Sequence, residues 1–326
     1  MNRPPEEFTP VRPEPLRDFI RSVYLAAGMP AERAELITSL LVKNDLRGVF
    51  SHGTRQTRAY VSHFRKQELT PAPEVQVVRE SPTTLVVDGG GGLGYFPAWE
   101  AAHRACEKAR AVGIAAALTR NHGHIGAAGI YTRVAVEQGL FGYITSGHQL
   151  HLHPGQPLVA AAGGSPHSFA IPAGDEPPFV LDFGAVHDMY PGSPHLETLS
   201  QLAPGTVFRS IGMGTVCQAM GGFLAGVPVD PARAQREWSG ANQGSFFIAV
   251  DLAQFCDPAA FRAEMDEYLR KVRELKPLTG FDRAVPSGGM EHLREQEYAE
   301  TGIPVGAAHA DALRFLAEEF GLQCPV

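Results

Sequence analysis

Side chains able to do chemistry concentrate in a few short stretches of this 326-residue chain. Ser51-His52-Gly53-Thr54-Arg55 places a hydroxyl, an imidazole and a guanidinium within one turn beside a glycine, and Arg58 is nearby. Such a set can relay a proton and clamp a carboxylate with a planar cationic fork. The ordinary alternative is an interhelical turn with Ser51 as an N-cap. Asn121-His122-Gly123-His124-Ile125-Gly126-Ala127-Ala128-Gly129 sets two imidazoles among small residues that let a backbone or a flat ligand come close. Its alternative is a glycine-rich connection whose histidines face water. His148, His151 and His153 invite a metal, but only 151 and 153 would share a strand face, and no carboxylate lies in the run. No metal is expected there. Asp88-Gly89-Gly90-Gly91-Gly92-Leu93-Gly94 lacks the GxGxxG spacing and the acidic residue about 20 positions on, so a tight turn is expected rather than a dinucleotide fingerprint.

These stretches need elements to hold them. Residues 114–119 form an apolar run that reads as a buried strand, and 127–138 continue with helical spacing. The His122–His124 turn therefore lies past the carboxyl end of a strand, a common ligand position in open α/β sheets. Residues 15–27 and 30–47 read as amphipathic helices, and a third helical stretch surrounds Tyr60, Val61 and Phe64. Strands are expected at 75–78, 84–87, 140–146, 178–183 and 245–251, the first two as a hairpin. A strand also follows the Gly163–Ser165 turn, and Asp182 closes the apolar run before it. Helices are expected at 97–112, 216–224, 258–275 and 307–320. Residues 1–12 read as a loose arm and 186–210 as loop.

Composition narrows the class. With 44% hydrophobic and 19% charged residues the chain is long enough for two domains with a large core. A net charge of −7 without a basic stripe argues against nucleic-acid binding. No apolar run approaches the roughly 20 residues that span a bilayer, and the N-terminus has no apolar signal region, so no membrane partner and a cytoplasmic location are expected. Cys106, Cys217, Cys256 and Cys324 are scattered and imply neither a zinc ribbon nor a disulfide framework.

Taken in order, several stretches resemble the malate/L-lactate dehydrogenase-like family of non-Rossmann, nicotinamide-dependent reductases. They are Asp45-Leu46-Arg47-Gly48 with Ser51-His52-Gly53, Val87-Asp88-Gly89 with Leu93-Gly94-Tyr95, and His124-Ile125-Gly126-Ala127-Ala128-Gly129. Ser165-Pro166 with Phe169-Ala170-Ile171-Pro172, the strand ending in Asp182, and Asn242-Gln243-Gly244-Ser245 running to Asp251 follow. Val285-Pro286-Ser287-Gly288 and Gly302-Ile303-Pro304-Val305 complete the set. The chain departs from the family pattern at three places. Gln56 stands where the family has its arginine, and Arg55 comes one position early. No lysine occurs between Asp182 and Lys271, where the family carries a Gly-Lys after the Asp. Ile211-Gly212-Met213-Gly214-Thr215 replaces a Gly-Gly-x-Lys-Gly helix start, and a Trp-containing insertion before it is missing.

The resemblance implies an α/β fold in which a helical domain from the two chain ends accompanies a mixed-sheet domain. The expected boundaries are 1–72, 73–255 and 256–326, the last packing with the first. It implies NAD or NADP as cofactor, a homodimer, and reduction of a small 2-oxo acid or cyclic imine acid, or oxidation of the matching 2-hydroxy acid. His52 is the expected proton donor, oriented by Ser51, with Arg55 and then Arg58 for the substrate carboxylate. His124 would stand beside substrate and nicotinamide, Ser165 and Asp182 would line the cofactor cleft, and Gly126 and Ala127 would lie near the dinucleotide. The alternative is a non-redox lyase or isomerase that keeps Ser51, His52 and His124 without the lysines, or an inactive relative that only binds a ligand.

Overall fold

The computed structural model describes residues 3–190 and 192–326. The chain divides into two compact units, 1–73 with 272–326, and 74–271. The second boundary differs from the expected one at 255/256. Helix Pro258–Glu274 lies in the middle unit save for its last turn. Its Asp266 accepts the backbone N–H groups of Gly174, Asp175 and Glu176 at 2.8, 2.9 and 3.2 Å, which ties the helix to a loop of the sheet unit.

In the terminal unit, β1 (Thr9–Val11) is followed by α1 (Pro13–Ala26), α2 (Ala31–Leu46) and α3 (Thr57–Arg65). The expected loose arm is in part a strand, because β1 pairs antiparallel with Ile303–Val305 across nearly the whole sequence and buries Val11. Proline opens α1, where its missing N–H costs nothing. Leu16, Ile20, Val23 and Tyr24 recur at helical spacing and are fully buried with Ile37 and Leu41 of α2.

The sheet unit carries β2 (Gln76–Glu80), β3 (Thr84–Asp88), α4 (Tyr95–Val112), β4 (Ile114–His122), α5 (Gly129–Val136), β5 (Phe141–His148), β6 (Pro166–Ile171) and β7 (Phe179–Gly184). Then come α6 (Leu196–Leu202), α7 (Pro204–Cys217), β8 (Gln243–Val250) and α8, the helix Pro258–Glu274. Back in the terminal unit are α9 (Gly289–Thr301), β9 (Ile303–Val305) and α10 (Ala307–Phe320). Seven strands form one sheet among the described residues, in the order β2-β3-β4-β8-β5-β6-β7. Only β3 and β4 run parallel in it, and the other neighbours are antiparallel, so the sheet is mixed as expected.

Both faces of the sheet are covered, and β5 shows how. A Cβ at Gly142 would lie 2.7 Å from the Ala135 side chain of α5. Gly147, on the opposite face by strand alternation, would meet the backbone of Gly222 and Cys217. Gly222 belongs to a π-helical segment, Gln218–Phe223, that continues α7. The expected loop 186–210 thus holds α6 and the first half of α7. Its Pro, Gly and Ser content lowers intrinsic helicity, and packing overrides it: Gly214 seats directly on Ala162.

Candidate functional site

In the terminal unit, the chain leaves α2 and makes two consecutive 3₁₀ turns, Phe50–His52 and Thr54–Gln56, before α3. These turns present the predicted residues. Ser51 Oγ lies 2.9 Å from His52 Nδ1. Burial lowers the His52 pKa, so the ring is a base at neutral pH. Asn44 Nδ2 donates to the His52 carbonyl at 2.8 Å, and Gln56 Nε2 donates back to the Ser51 carbonyl at 2.6 Å. Gln56 therefore closes the turn rather than reaching outward. Ser51, Arg55 and Arg58 line one cleft of about 720 Å³ with Ser62, Ala308 and Asp311. Arg55 and Arg58 are both exposed, and Arg58 lies over the Phe315 ring at 4.1 Å.

Beneath the turn lies a network that sequence reasoning missed. Asp45 is fully buried and accepts both the N–H and the hydroxyl of Thr54, at 2.9 and 2.6 Å. Thr54 Oγ1 is also 2.8 Å from His309 Nε2 of α10. Burial pushes the Asp45 carboxyl up to about 7, against the Thr54 hydrogen bonds, and lowers His309 to about 4, helped by the nearby Arg55 charge. The available signal was Gly53: a Cβ there would overlap the Asp45 carboxylate, so Asp45 in this position requires a glycine at 53.

In the sheet unit, β4 runs through His122, and the two imidazoles of the glycine-rich turn part company. His122 is buried, with Nδ1 donating to the Gly123 carbonyl at 2.7 Å and Nε2 accepting from Thr119 Oγ1 at 2.6 Å. Burial lowers its pKa to about 4, so it is a neutral core residue. His124 is half-buried just beyond the strand. The turn is tightly built. Gly126 has φ +75°, and a Cβ there would overlap the Tyr95 hydroxyl. Asp182 of β7 accepts the Gly129 N–H at 2.8 Å, so one carboxylate oxygen anchors the start of α5. Ala127 is buried within the turn. Ser165 is also buried, with φ +43°, and its Oγ accepts the Val186 N–H at 3.2 Å.

Of the clustered histidines, His151 and His153 are exposed and His148 is half-buried, and no metal-holding group of three His, Cys, Asp or Glu occurs among the described residues. The His148 N–H donates to Gln218 Oε1 at 3.2 Å, which turns Gln218 Nε2 toward Gly163. That Nε2 is buried without a hydrogen-bond partner. One orphaned donor can take a carbonyl or phosphoryl oxygen, groups that a nicotinamide dinucleotide carries.

Comparison with known proteins covers the same span. The family model described as malate/L-lactate dehydrogenase matches residues 11–186 and 194–314. Malate dehydrogenase from Pyrococcus horikoshii is 24% identical over 360 aligned positions, covering 98% of this chain and 97% of that protein. L-sulfolactate dehydrogenase from Methanocaldococcus jannaschii is 26% identical, covering 96% and 97%. Among solved structures, that of the Pyrococcus horikoshii malate dehydrogenase superposes with a TM-score of 0.84 at 23% identity over 99% of both chains. Δ1-Piperideine-2-carboxylate reductase from Pseudomonas syringae superposes at 0.71 and 18% identity, over 95% of this chain and all of that one. With its ordered motifs, mixed sheet and near-complete match, the chain belongs to the malate/L-lactate dehydrogenase family.

Proposed function

We propose that the protein is a nicotinamide-dependent oxidoreductase that interconverts a small 2-hydroxy acid and its 2-oxo acid, or reduces a cyclic imine acid. The observation that carries this is the Ser51–Arg55 turn, a hydrogen-bonded hydroxyl–imidazole pair whose serine lines a cleft with two guanidiniums, inside a near-complete match to a dehydrogenase family. The dinucleotide, when bound, supplies or accepts the hydride. His52 handles the proton: it takes the hydroxyl proton in oxidation and, as imidazolium, returns it in reduction. Ser51 engages Nδ1 and orients the ring. Arg55 clamps the substrate carboxylate, and Arg58, held against Phe315, lends a second positive charge to the cleft. His124, Gly126, Ala127, Ser165, Asp182 and Gln218 would serve the cofactor, NAD or NADP.

The same chain has free cysteines and no described helix long and apolar enough to cross a membrane, in keeping with a cytoplasmic enzyme. We further infer a homodimer, in keeping with the large apolar side chains exposed on α6 and α7, Leu202 and Phe208 among them. The sequence observation favouring a second reading, a non-redox lyase or isomerase, is the absence of lysine between Asp182 and Lys271. One experiment separates the two. A panel of 2-oxo, 2-hydroxy and cyclic imine acids with NADH, NADPH and their oxidised forms is followed at the nicotinamide absorbance, with calorimetric titration of each nucleotide. Turnover with at least one pair is expected. Neither turnover nor nucleotide binding would leave the non-redox reading.

A further inference from the structure

The carboxylate of Asp45 sits with no exposure at the end of α2, and it has no ion pair among the described residues. Burying a carboxyl without a cationic partner is costly, and burial accordingly raises its pKa to about 7, far above the usual carboxylate range. Its Oδ1 has no hydrogen-bond partner and lies against Gly53, while Oδ2 takes both donors of Thr54. With Asp45 ionised its oxygens only accept, so the Thr54 hydroxyl proton then points at Asp45. In that ionisation state the second neighbour of the hydroxyl donates, which gives His309 the Nε2–H tautomer. The bonds form one continuous chain through His309, Thr54 and Asp45, and it joins α10 to α2 through the residue immediately before Arg55 and two after His52. Asn44, next to Asp45, holds the His52 carbonyl from the same helix end.

We propose that Asp45, Thr54 and His309 are positioning residues that hold His52 and Arg55 at their working orientations, a role that rests on the dehydrogenase reading above. Nothing in the network reaches the cleft as a nucleophile or a proton donor to substrate. Its effect passes through the two 3₁₀ turns: losing the Thr54 hydroxyl cuts the tie to α10 and one of the two bonds to Asp45 of α2, and His52 and Arg55 shift with the loosened turn.

The test compares Thr54→Val, which keeps the shape and removes the hydroxyl, with Thr54→Ser, which restores it. In steady-state assays with the best 2-oxo acid, folded Thr54→Val is expected to lose about 10²-fold in kcat/KM, the scale of an ångström misplacement. The loss should divide between a higher substrate KM, through Arg55, and a lower kcat, through His52, with nucleotide affinity unchanged. Thr54→Ser should return to within a few-fold of the wild type. Should Thr54→Val fail to fold, His309→Phe leaves the Thr54–Asp45 bonds in place and is expected to show the same divided loss. A folded variant with wild-type kcat and KM, or a loss that Thr54→Ser does not rescue, overturns the proposal. If the wild type turns over no substrate, the functional reading fails and the positional claim is decided by NMR. The His52 ring resonances, identified by their absence in His52→Asn, should shift in Thr54→Val and return in Thr54→Ser. Resonances that stay in place overturn it.

Discussion

His52 combines a serine hydroxyl on Nδ1 with surroundings that lower its pKa, and this sets the sense of its pH dependence. A ring that is neutral at pH 7 is ready to act as a base. Oxidation of the hydroxy acid is therefore expected to speed up as pH rises through the lowered His52 value. Reduction, which needs the imidazolium, should slow over the same range. His52→Asn should flatten both limbs and lower turnover by about 10²–10⁴-fold. Rate–pH profiles in both directions check this, and unchanged profiles would move the proton to His124. Asp45 and His309 give a second residue-scale prediction, read in stability. Asp45 is raised from 3.8 to about 7, so its contribution is full below the unfolded value and is lost as pH rises through about 7. His309 is depressed from 6.5 to about 4, so its contribution is present above 6.5 and is lost as pH falls toward 4. The two slopes oppose each other between about pH 4 and 6.5, and each tenfold difference in proton affinity is worth about 1.4 kcal/mol. Melting temperatures across that range should tilt upward with pH in Asp45→Asn and downward with pH in His309→Gln, relative to the wild type. Parallel curves would show that neither group is perturbed.

At the scale of elements, the turn after β4 depends on a close approach that only glycine allows. Gly126 combines a left-handed φ with a Cβ position already filled by the Tyr95 hydroxyl, while Tyr131 donates to the Ile125 carbonyl from below. Gly126→Ala is expected to cost about 1–3 kcal/mol from backbone strain alone, with the overlap added. It should also weaken nucleotide binding if this turn serves the cofactor. Denaturant unfolding and calorimetric titration measure the two effects. Strands and long helices were legible because their periodicity is local, as in α1, where Leu16, Ile20 and Val23 mark the buried stripe. The short ribbon β1–β9 was not, since three residues carry no period and the partner lies nearly 300 positions away. The start of α7 was not legible either, because Gly205, Gly212 and Gly214 argue against a helix until Ala162 is seen to require a bare backbone beside Gly214.

At the scale of the molecule, the order of motifs along the chain agrees with a family match over both units. The proposed homodimer is the prediction that belongs here. Leu202, Phe208, Val216 and Leu158 are all exposed large apolar side chains of the sheet unit, more than an isolated surface needs. Light scattering coupled to size exclusion should give twice the 35.1 kDa chain mass. Phe208→Glu should shift that mass toward the monomer, and a monomeric wild type at micromolar concentration would sink the idea.

The sequence alone determined the class of fold and the family, and it singled out the Ser51–His52–Arg55 turn as a candidate place for chemistry, because residue types, local periodicity and motif order are written along the chain. Tertiary structure decided what no spacing encodes. It separated His122, locked neutral between Thr119 and the Gly123 carbonyl, from its half-buried neighbour His124. It also assigned Gln56 to closing the turn and Arg58 to the Phe315 ring. And it brought His309 to within 2.8 Å of Thr54 across 255 positions, over a carboxylate that only a glycine at 53 leaves room for. Burial and hydrogen-bond direction depend on what folds against a residue, and those neighbours come from distant parts of the chain.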